Sequence, residues 1–195
     1  MLRYASIAVL VAACSGSVEG DTTPDAGDVV IMIDAPHDDV NPAVARAQLW
    51  VDAQVPYCQA PNHQHDADTD CSSTCVRPDV AEWDPYRSDC SGFVSWAWDL
   101  PAPGHTTATL APFDTSVSHA IAAADLQPGD AINNDTHTML FAAWIVEGTQ
   151  ARFFEEPGCS SDQPYAREYT GNVTLMGEMV VVQYRGTFTA IRHDL

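Results

Sequence analysis

Residues 86–100, YRSDCSGFVSWAWDL, constrain the fold more than any other part of the chain. After Cys90 the segment FVSWAW is almost entirely apolar, so a helix formed here has to be buried. Pro101 and Pro103 end that helix, because proline lacks the N–H group that a helix interior needs. Asp89 is a residue type that caps helices. The pattern therefore predicts a thiol at the open end of a buried helix.

A cysteine at the N-terminus of a helix meets unpaired backbone N–H groups and a partial positive charge. These groups stabilise the thiolate, so we expect the pKa of Cys90 to fall from about 8.5 toward neutrality or below. The thiolate is the nucleophilic form of cysteine. Asp89 and Ser91 flank the thiol and are candidates for the substrate-binding or oxyanion region. The alternative is that Cys90 is an inert, buried thiol.

Composition excludes one class of partner. The 195-residue chain has 27 Asp and Glu against eight Lys and Arg, a formal net charge of −19, and we find no basic stripe. A nucleic-acid partner needs such a stripe, so none is expected. The chain is long enough for one domain with a sizeable core and a tail.

The first residues, MLRYASIAVLVAAC, have the shape of a secretory signal whose apolar run is too short to span a bilayer. Its ending, VAAC, resembles the lipobox of bacterial lipoproteins. That resemblance implies a signal peptide at 1–13, lipidation of Cys14 and membrane attachment through a lipid anchor only. Ser15 favours the outer membrane by the habit of those lipoproteins. The alternative is an ordinary signal peptide with a chance cysteine.

Residues 14–41 are rich in Asp, Gly, Pro and Thr and contain no Lys or Arg. Such a segment buries too little apolar surface to offset its ordering entropy, so we predict an acidic, flexible tether. The folded domain is then expected at 42–195.

Export lets disulfides persist. With Cys14 assigned to lipid, an odd number of cysteines remains, so one thiol is free, and its chemistry assigns that role to Cys90. The other four can form two disulfides in three pairings, and the preferred choice is a local Cys71–Cys75 bond, which leaves Cys58 and Cys159 to pair. The disulfide candidates are Cys58, Cys71, Cys75 and Cys159.

The segment 63–75, HQHDADTDCSSTC, offers a competing metal hypothesis. His63 and His65 with Cys71 and Cys75 could form a zinc tetrahedron. The alternating aspartates echo the start of a calcium loop, but the glycine and terminal glutamate of such a loop are absent. The preferred interpretation is a solvated polar loop with a disulfide, and neither metal nor cofactor.

A nucleophilic cysteine needs a base, and His137 opens the apolar strand HTMLFAAWIV. If that strand forms a hairpin centred on Gly148 with ARFFEE, Phe141 opposes Glu155, which then shares a face with His137. A one-residue register change would substitute Glu156. A carboxylate there would orient the imidazole, the third role in a catalytic triad.

Three landmarks in order, DCSGFV, DLQPGD and the histidine that opens an apolar strand, resemble the NlpC superfamily of papain-like cell-wall cysteine peptidases. The pair Pro56-Tyr57 also matches. The resemblance implies Cys90 as nucleophile, His137 as base and then acid, and Glu155 as orienting residue. It implies that Tyr57 lies beside the cleft and helps bind the oxyanion. The acidic third residue and the long segment between Tyr57 and Cys90 depart from the usual pattern.

The expected fold is α+β: a papain-like NlpC-type fold whose nucleophile helix packs on an antiparallel sheet. Further helices are predicted near Asn41-Pro42 and over 116–124. The last strands are predicted in NVTLMGEMVVVQYRG and TFTAIR.

The implied activity is cysteine-dependent amide hydrolysis of a peptidoglycan stem peptide, through a thioester, in the bacterial cell envelope. Two alternatives remain open. One is an acyltransferase or transglutaminase-like enzyme on another amide, and the other is a catalytically silent binding module.

Overall fold

Short apolar runs such as MLFAAWIV, and a segment of alternating burial over 167–176, follow residue 117, and both kinds of segment fold as strands. The computed structural model describes residues 40–61 and 80–194. Within them lie two α-helices, α1 Pro42–Ala53 and α2 Cys90–Ala97. The strands are β1 Ser118–Ala120, β2 Ala131–Asn133, β3 Thr138–Val146, β4 Gln150–Glu155, β5 Arg167–Met176, β6 Met179–Val182 and β7 Gly186–His193.

All strand pairings among the described residues are antiparallel. The order is β1-β7-β2-β3-β4-β5-β6, and β6 also pairs with β7, so the six strands β2 to β7 close into a barrel. Strands β6 and β1 pair with successive parts of the same edge of β7. At the point where they meet, the Ala190 N–H donates to the Glu178 carbonyl, and the Ala190 carbonyl accepts from the Ile121 N–H. Closure leaves the barrel strands without a free edge over their paired length.

The predicted fold class is wrong. The molecule is a six-stranded antiparallel barrel, mostly sheet, with only two short helices in the described residues, and not a papain-like α+β fold with a nucleophile helix. The predicted helix at 116–124 is strand β1 followed by a single 3₁₀ turn, Ala123–Asp125. Its alanines favour a helix, but pairing of Ser118–Ala120 with β7 overrides that weak preference.

Other predicted elements are confirmed. Helix α1 begins at Pro42, and the Asn41 side chain caps it by accepting from the Ala43 N–H at 2.9 Å. The two C-terminal segments form β5, β6 and β7.

Two apolar clusters follow from the alternation along the strands. One face of the sheet packs against the two helices. There Trp50 of α1 stacks on Trp96 of α2 with ring centroids 5.7 Å apart. The opposite face encloses Met139, Phe141 and Phe153 in a second cluster. Phe141 and Phe153 meet edge to face, a preferred geometry for aromatic pairs. The barrel interior is therefore packed with side chains.

Several predictions fall outside the described residues. These are the signal peptide at 1–13 with its lipidated Cys14, nearly all of the tether at 14–41, and the loop 63–75 with its metal and disulfide candidates. Neither helix of residues 40–61 and 80–194 is long and apolar enough to cross a membrane.

Candidate active site

Cys90 is the first residue of α2, as its sequence neighbourhood predicts. Oδ1 of the N-cap residue Asp89 accepts from the Gly92 N–H at 2.7 Å and from the Ser91 hydroxyl at 3.1 Å. Position 92 favours glycine, because an added Cβ would lie 2.1 Å from the Arg87 carbonyl oxygen and the loop would have to move. The motif DCSG therefore holds the loop before α2 tightly against the first helical turn.

The thiol opens into a cavity of about 260 Å³. Its lining residues are Tyr57, Cys90, Thr136, His137, Gly158 and Arg185. The structure thus brings together three of the predicted residues, which are Cys90, His137 and Tyr57. Asp89 and Ser91 are not among the described residues that line the cavity, and their contacts serve the helix cap instead.

Glu155, the last residue of β4, is fully buried, and its Oε2 lies 2.9 Å from Nε2 of His137. The predicted pairing of Phe141 with Glu155 is wrong, because Phe141 opposes Phe153. Near the turn the predicted register holds, with Val146 opposite Gln150, but two irregularities then shift it by two residues in total. A shift of two keeps every side chain on its face, so Glu155 still lies on the His137 side.

Two arginines share the other oxygen of Glu155. Arg167, opposite Glu155 on β5, donates from Nε at 3.0 Å and from Nη2 at 2.9 Å to Oε1. Arg185 donates from Nη2 to the same oxygen. Burial acts to raise the pKa of Glu155, but the hydrogen bond and charge of His137, with both arginines, outweigh it and hold the pKa below its ordinary value.

This environment fixes the tautomer of His137. A Glu155 carboxylate with a lowered pKa is ionised at neutral pH and can only accept hydrogen bonds. The proton of the neutral imidazole therefore lies on Nε2, which donates to Glu155, and Nδ1 keeps its lone pair. Nδ1 is the atom that can accept a proton from a group in the cavity.

The pKa of Cys90 moves in the direction opposite to the one predicted. Burial and the neighbouring Asp89 carboxylate raise it to about 12, against the backbone N–H groups of Thr138 and Ser91, which lower it. The helix start does donate to the sulfur, but desolvation is the larger effect. Cys90 is consequently a neutral thiol at pH 7, and it needs a base to become a nucleophile.

Tyr57 is held beside the thiol by backbone pairing. Its N–H donates to the Pro164 carbonyl at 2.9 Å, and the next residue, Cys58, pairs with Ser88 just before α2. Burial, followed by the influence of Cys90 and of the Asp89 carboxylate, raises the pKa of Tyr57 to about 12, so its phenol keeps its proton. Gln59 donates to this hydroxyl at 3.3 Å, which leaves the O–H proton available for an acceptor in the cavity.

The cysteine assignments are consistent with one free thiol. Cys58 and Cys159 are disulfide-bonded, and Cys90 is the free cysteine of the described residues. Glu156, the alternative third residue, is buried, but the carboxylate that binds His137 is that of Glu155. The described residues contain no cluster of His, Cys, Asp and Glu able to hold a metal ion.

Sequence reasoning missed both arginines. Arg167 follows a connection of eleven residues after β4, too long to fix a register from a turn. Arg185 lies in the short turn between β6 and β7 and reaches Glu155 only because the barrel closes. One feature of the sequence could have indicated them. The chain has only eight Lys and Arg, and a buried carboxylate needs a cationic partner from such a small set.

Comparison of the chain with protein-family models, with curated proteins and with solved structures finds no match.

Proposed function

We propose that this protein is a cysteine-dependent amide hydrolase in which Cys90 is the nucleophile and His137 the base. The observation that carries the proposal is the ordered set of three groups. A free thiol and an imidazole line one cavity, and Nε2 of that imidazole is bound by a buried carboxylate. A nucleophile, a base and a group that orients the base are the parts of a catalytic triad.

The proposed reaction begins with transfer of the Cys90 proton to Nδ1 of His137 as the sulfur attacks the substrate carbonyl carbon. The carbonyl π electrons move to oxygen, which accepts hydrogen bonds from the Tyr57 hydroxyl and the Cys90 backbone N–H in this proposal. Collapse of this intermediate breaks the C–N bond, and the imidazolium of His137 gives its proton to the departing amine.

A thioester on Cys90 remains. Water, deprotonated by Nδ1 of His137, attacks the thioester carbonyl, and the C–S bond breaks to release the carboxylic acid and restore the thiol. Glu155 stays ionised throughout and stabilises the imidazolium, because His137 itself and then the two arginines hold the pKa of Glu155 below its ordinary value. The raised pKa of Cys90 implies that proton transfer accompanies attack, with no stored thiolate.

The substrate class follows from the resemblance of DCSGFV and its companion motifs, and it remains a proposal. A stem peptide of peptidoglycan, met by a lipid-anchored protein of the cell envelope, is the first amide to test. The test is incubation of the purified full chain with peptidoglycan fragments and small peptide amides. New amino groups would be counted by mass spectrometry.

We expect new amines from wild type and none from Cys90→Ala. The proposal would be contradicted if Cys90→Ala released as many new amines as wild type. It would also be contradicted if wild type released none from any amide in the panel. A silent binding module is the second candidate, and the observation that favours it is the raised pKa of Cys90. It predicts that peptidoglycan fragments bind to wild type and Cys90→Ala alike, without new amines.

A further inference from the structure

The charge of the candidate site contrasts with that of the whole chain. The chain has a formal net charge of −19, yet two guanidinium groups, Arg167 and Arg185, share one buried carboxylate, Glu155, at this site. The carboxylates of Asp89 and Glu156 also act on the cavity, because both raise the pKa of Tyr57. In a partly desolvated site a cation interacts more strongly than on the surface.

The two arginines differ in how many of their donors are already engaged. Arg167 uses all three guanidinium nitrogens, Nε and Nη2 on Glu155 and Nη1 on Ser161 at 3.4 Å. Among the described residues, Arg185 donates a hydrogen bond only from Nη2. A guanidinium has five N–H donors, so Arg185 retains Nε and Nη1 for a ligand.

Position also separates them. Arg185 lines the cavity with Cys90 and His137, although its side chain is 25% exposed against 23% for Arg167, so lining of the cavity and not exposure separates them. The guanidinium carbon lies 4.4 Å from the ring centroid of Tyr169, which holds the planar group in place through a cation–π contact. Arg167 is not among the described residues that line the cavity. Arg185 is therefore a cation that lines the same cavity as the thiol.

We propose that Arg185 is a specificity residue that binds a carboxylate of the substrate close to the scissile carbonyl. This inference rests on the proposed function, because it names the substrate class of the same site: an amide whose reacting end is acidic. A guanidinium suits this role because its planar donors match the two oxygens of a carboxylate. The Asp89 carboxylate beside Cys90 opposes an anion, and Arg87 is paired with Asp89 at 2.9 Å, so Arg185 is the arginine among the described cavity-lining residues that can favour one.

The test uses two alkylating reagents of the same size, iodoacetate and iodoacetamide, which differ in charge at the group beside the reacting carbon. Rates at Cys90 in the full chain would be measured at pH 9 by peptide mass spectrometry, with N-acetylcysteine amide as the free-thiol reference. We expect the iodoacetate-to-iodoacetamide rate ratio in wild type to exceed the reference ratio about tenfold.

Arg185→Gln should return this ratio to the reference value, and Arg185→Lys should keep part of the preference as a point charge. Arg167→Gln is the matched control, since it removes two bonds to the same Glu155 oxygen but leaves the cavity cation. A general loss of structure would move both glutamine variants together, and thermal melts would identify it. The inference is overturned if the iodoacetate-to-iodoacetamide rate ratio falls equally in Arg185→Gln and Arg167→Gln. It is also overturned if the wild-type ratio equals the free-thiol reference ratio.

The outcomes also separate this inference from the proposed function. A reactive Cys90 without anion preference, in a protein that hydrolyses amides, overturns the specificity role alone. Anion preference lost only in the Arg185 variants, without hydrolysis of any amide, supports the anion site and overturns the enzymatic proposal. Absence of alkylation by both reagents at pH 9 contradicts both.

Discussion

Oε2 of Glu155 accepts a hydrogen bond from Nε2 of His137 at 2.9 Å, although one residue ends β4 and the other precedes β3. The carboxylate is fully buried, and its second oxygen binds Arg167 and Arg185. One side chain therefore orients the proposed base and also joins three segments of the barrel. Its loss should affect both stability and chemistry.

Glu155→Gln tests the structural part of this role. Removing the charge leaves two guanidinium groups near a neutral amide, and breaking buried ion pairs in this way costs about 3–5 kcal/mol. We expect a loss of that size in the free energy of unfolding at pH 7, measured by denaturant titration. Glu168→Gln is the control, because the Arg152–Glu168 pair is exposed and 3.7 Å long. It should change stability by less than about 1 kcal/mol.

Glu155 should also shape the acid dependence of stability. The folded-state pKa of Glu155 is lowered, so its contribution is present above the unfolded pKa of about 4.3 and is lost as the pH falls through the folded value. We expect wild-type stability to fall below about pH 4 more steeply than that of Glu155→Gln. Parallel curves of unfolding free energy against pH for the two proteins would contradict this assignment.

The raised pKa of Cys90 predicts a particular pH profile of alkylation. With a pKa of about 12, the thiolate fraction grows about tenfold per pH unit through the neutral and mildly alkaline range. We expect the iodoacetamide rate at Cys90 to rise from pH 7 to 10 without reaching a plateau. A plateau below pH 8 would show that the helix start outweighs desolvation, as the sequence alone suggested.

Asp89→Asn separates the charge of the cap from its hydrogen bonds. Asparagine keeps an oxygen for the Gly92 N–H but removes the carboxylate that raises the pKa of Cys90. We expect the alkylation rate at pH 8 to rise several-fold. Asp99→Asn, the same charge change beyond the other end of α2, should leave the rate unchanged. An unchanged alkylation rate in Asp89→Asn would show that the Asp89 carboxylate does not raise the pKa of Cys90.

Gly92→Ala tests whether a steric contact is the reason that the motif has glycine at this position. A Cβ at this position would lie 2.1 Å from the Arg87 carbonyl, so the loop before α2 has to move. We expect a loss of about 1–3 kcal/mol in the free energy of unfolding, the range for overpacking. Gly158→Ala is the control, because nothing lies within 4 Å of its added Cβ. Equal stability of Gly92→Ala and wild type would contradict the steric account.

Local patterns predicted local structure well. The apolar run after Asp89 and the prolines beyond it predicted α2, and two strand-like segments joined by a short turn around Gly148 predicted the β3–β4 hairpin with the correct face for Glu155. Two irregularities changed the register, but their combined shift of two residues preserved that face. The role of Glu155 could therefore be predicted although its cross-strand partner could not.

The fold class and the charge network depend on contacts between distant parts of the chain. Closure of the barrel through β6 and β7 has no local signature, and it is what brings Arg185 to Glu155. The pKa of Cys90 was predicted from one favourable effect, the helix start. Desolvation is set by tertiary packing around the thiol, and the sequence does not reveal its size.

The central claim, that Cys90 is a nucleophile served by His137, is tested most directly by acylation with p-nitrophenyl acetate. Acetyl-Cys90 would be measured by peptide mass spectrometry while p-nitrophenolate release is followed in solution. The account predicts a thioester on Cys90 that water then hydrolyses, and a rate about 10²–10⁴-fold lower in His137→Ala. Acetylation of Cys90 at the same rate in wild type and His137→Ala, or at no measurable rate in either, would contradict it.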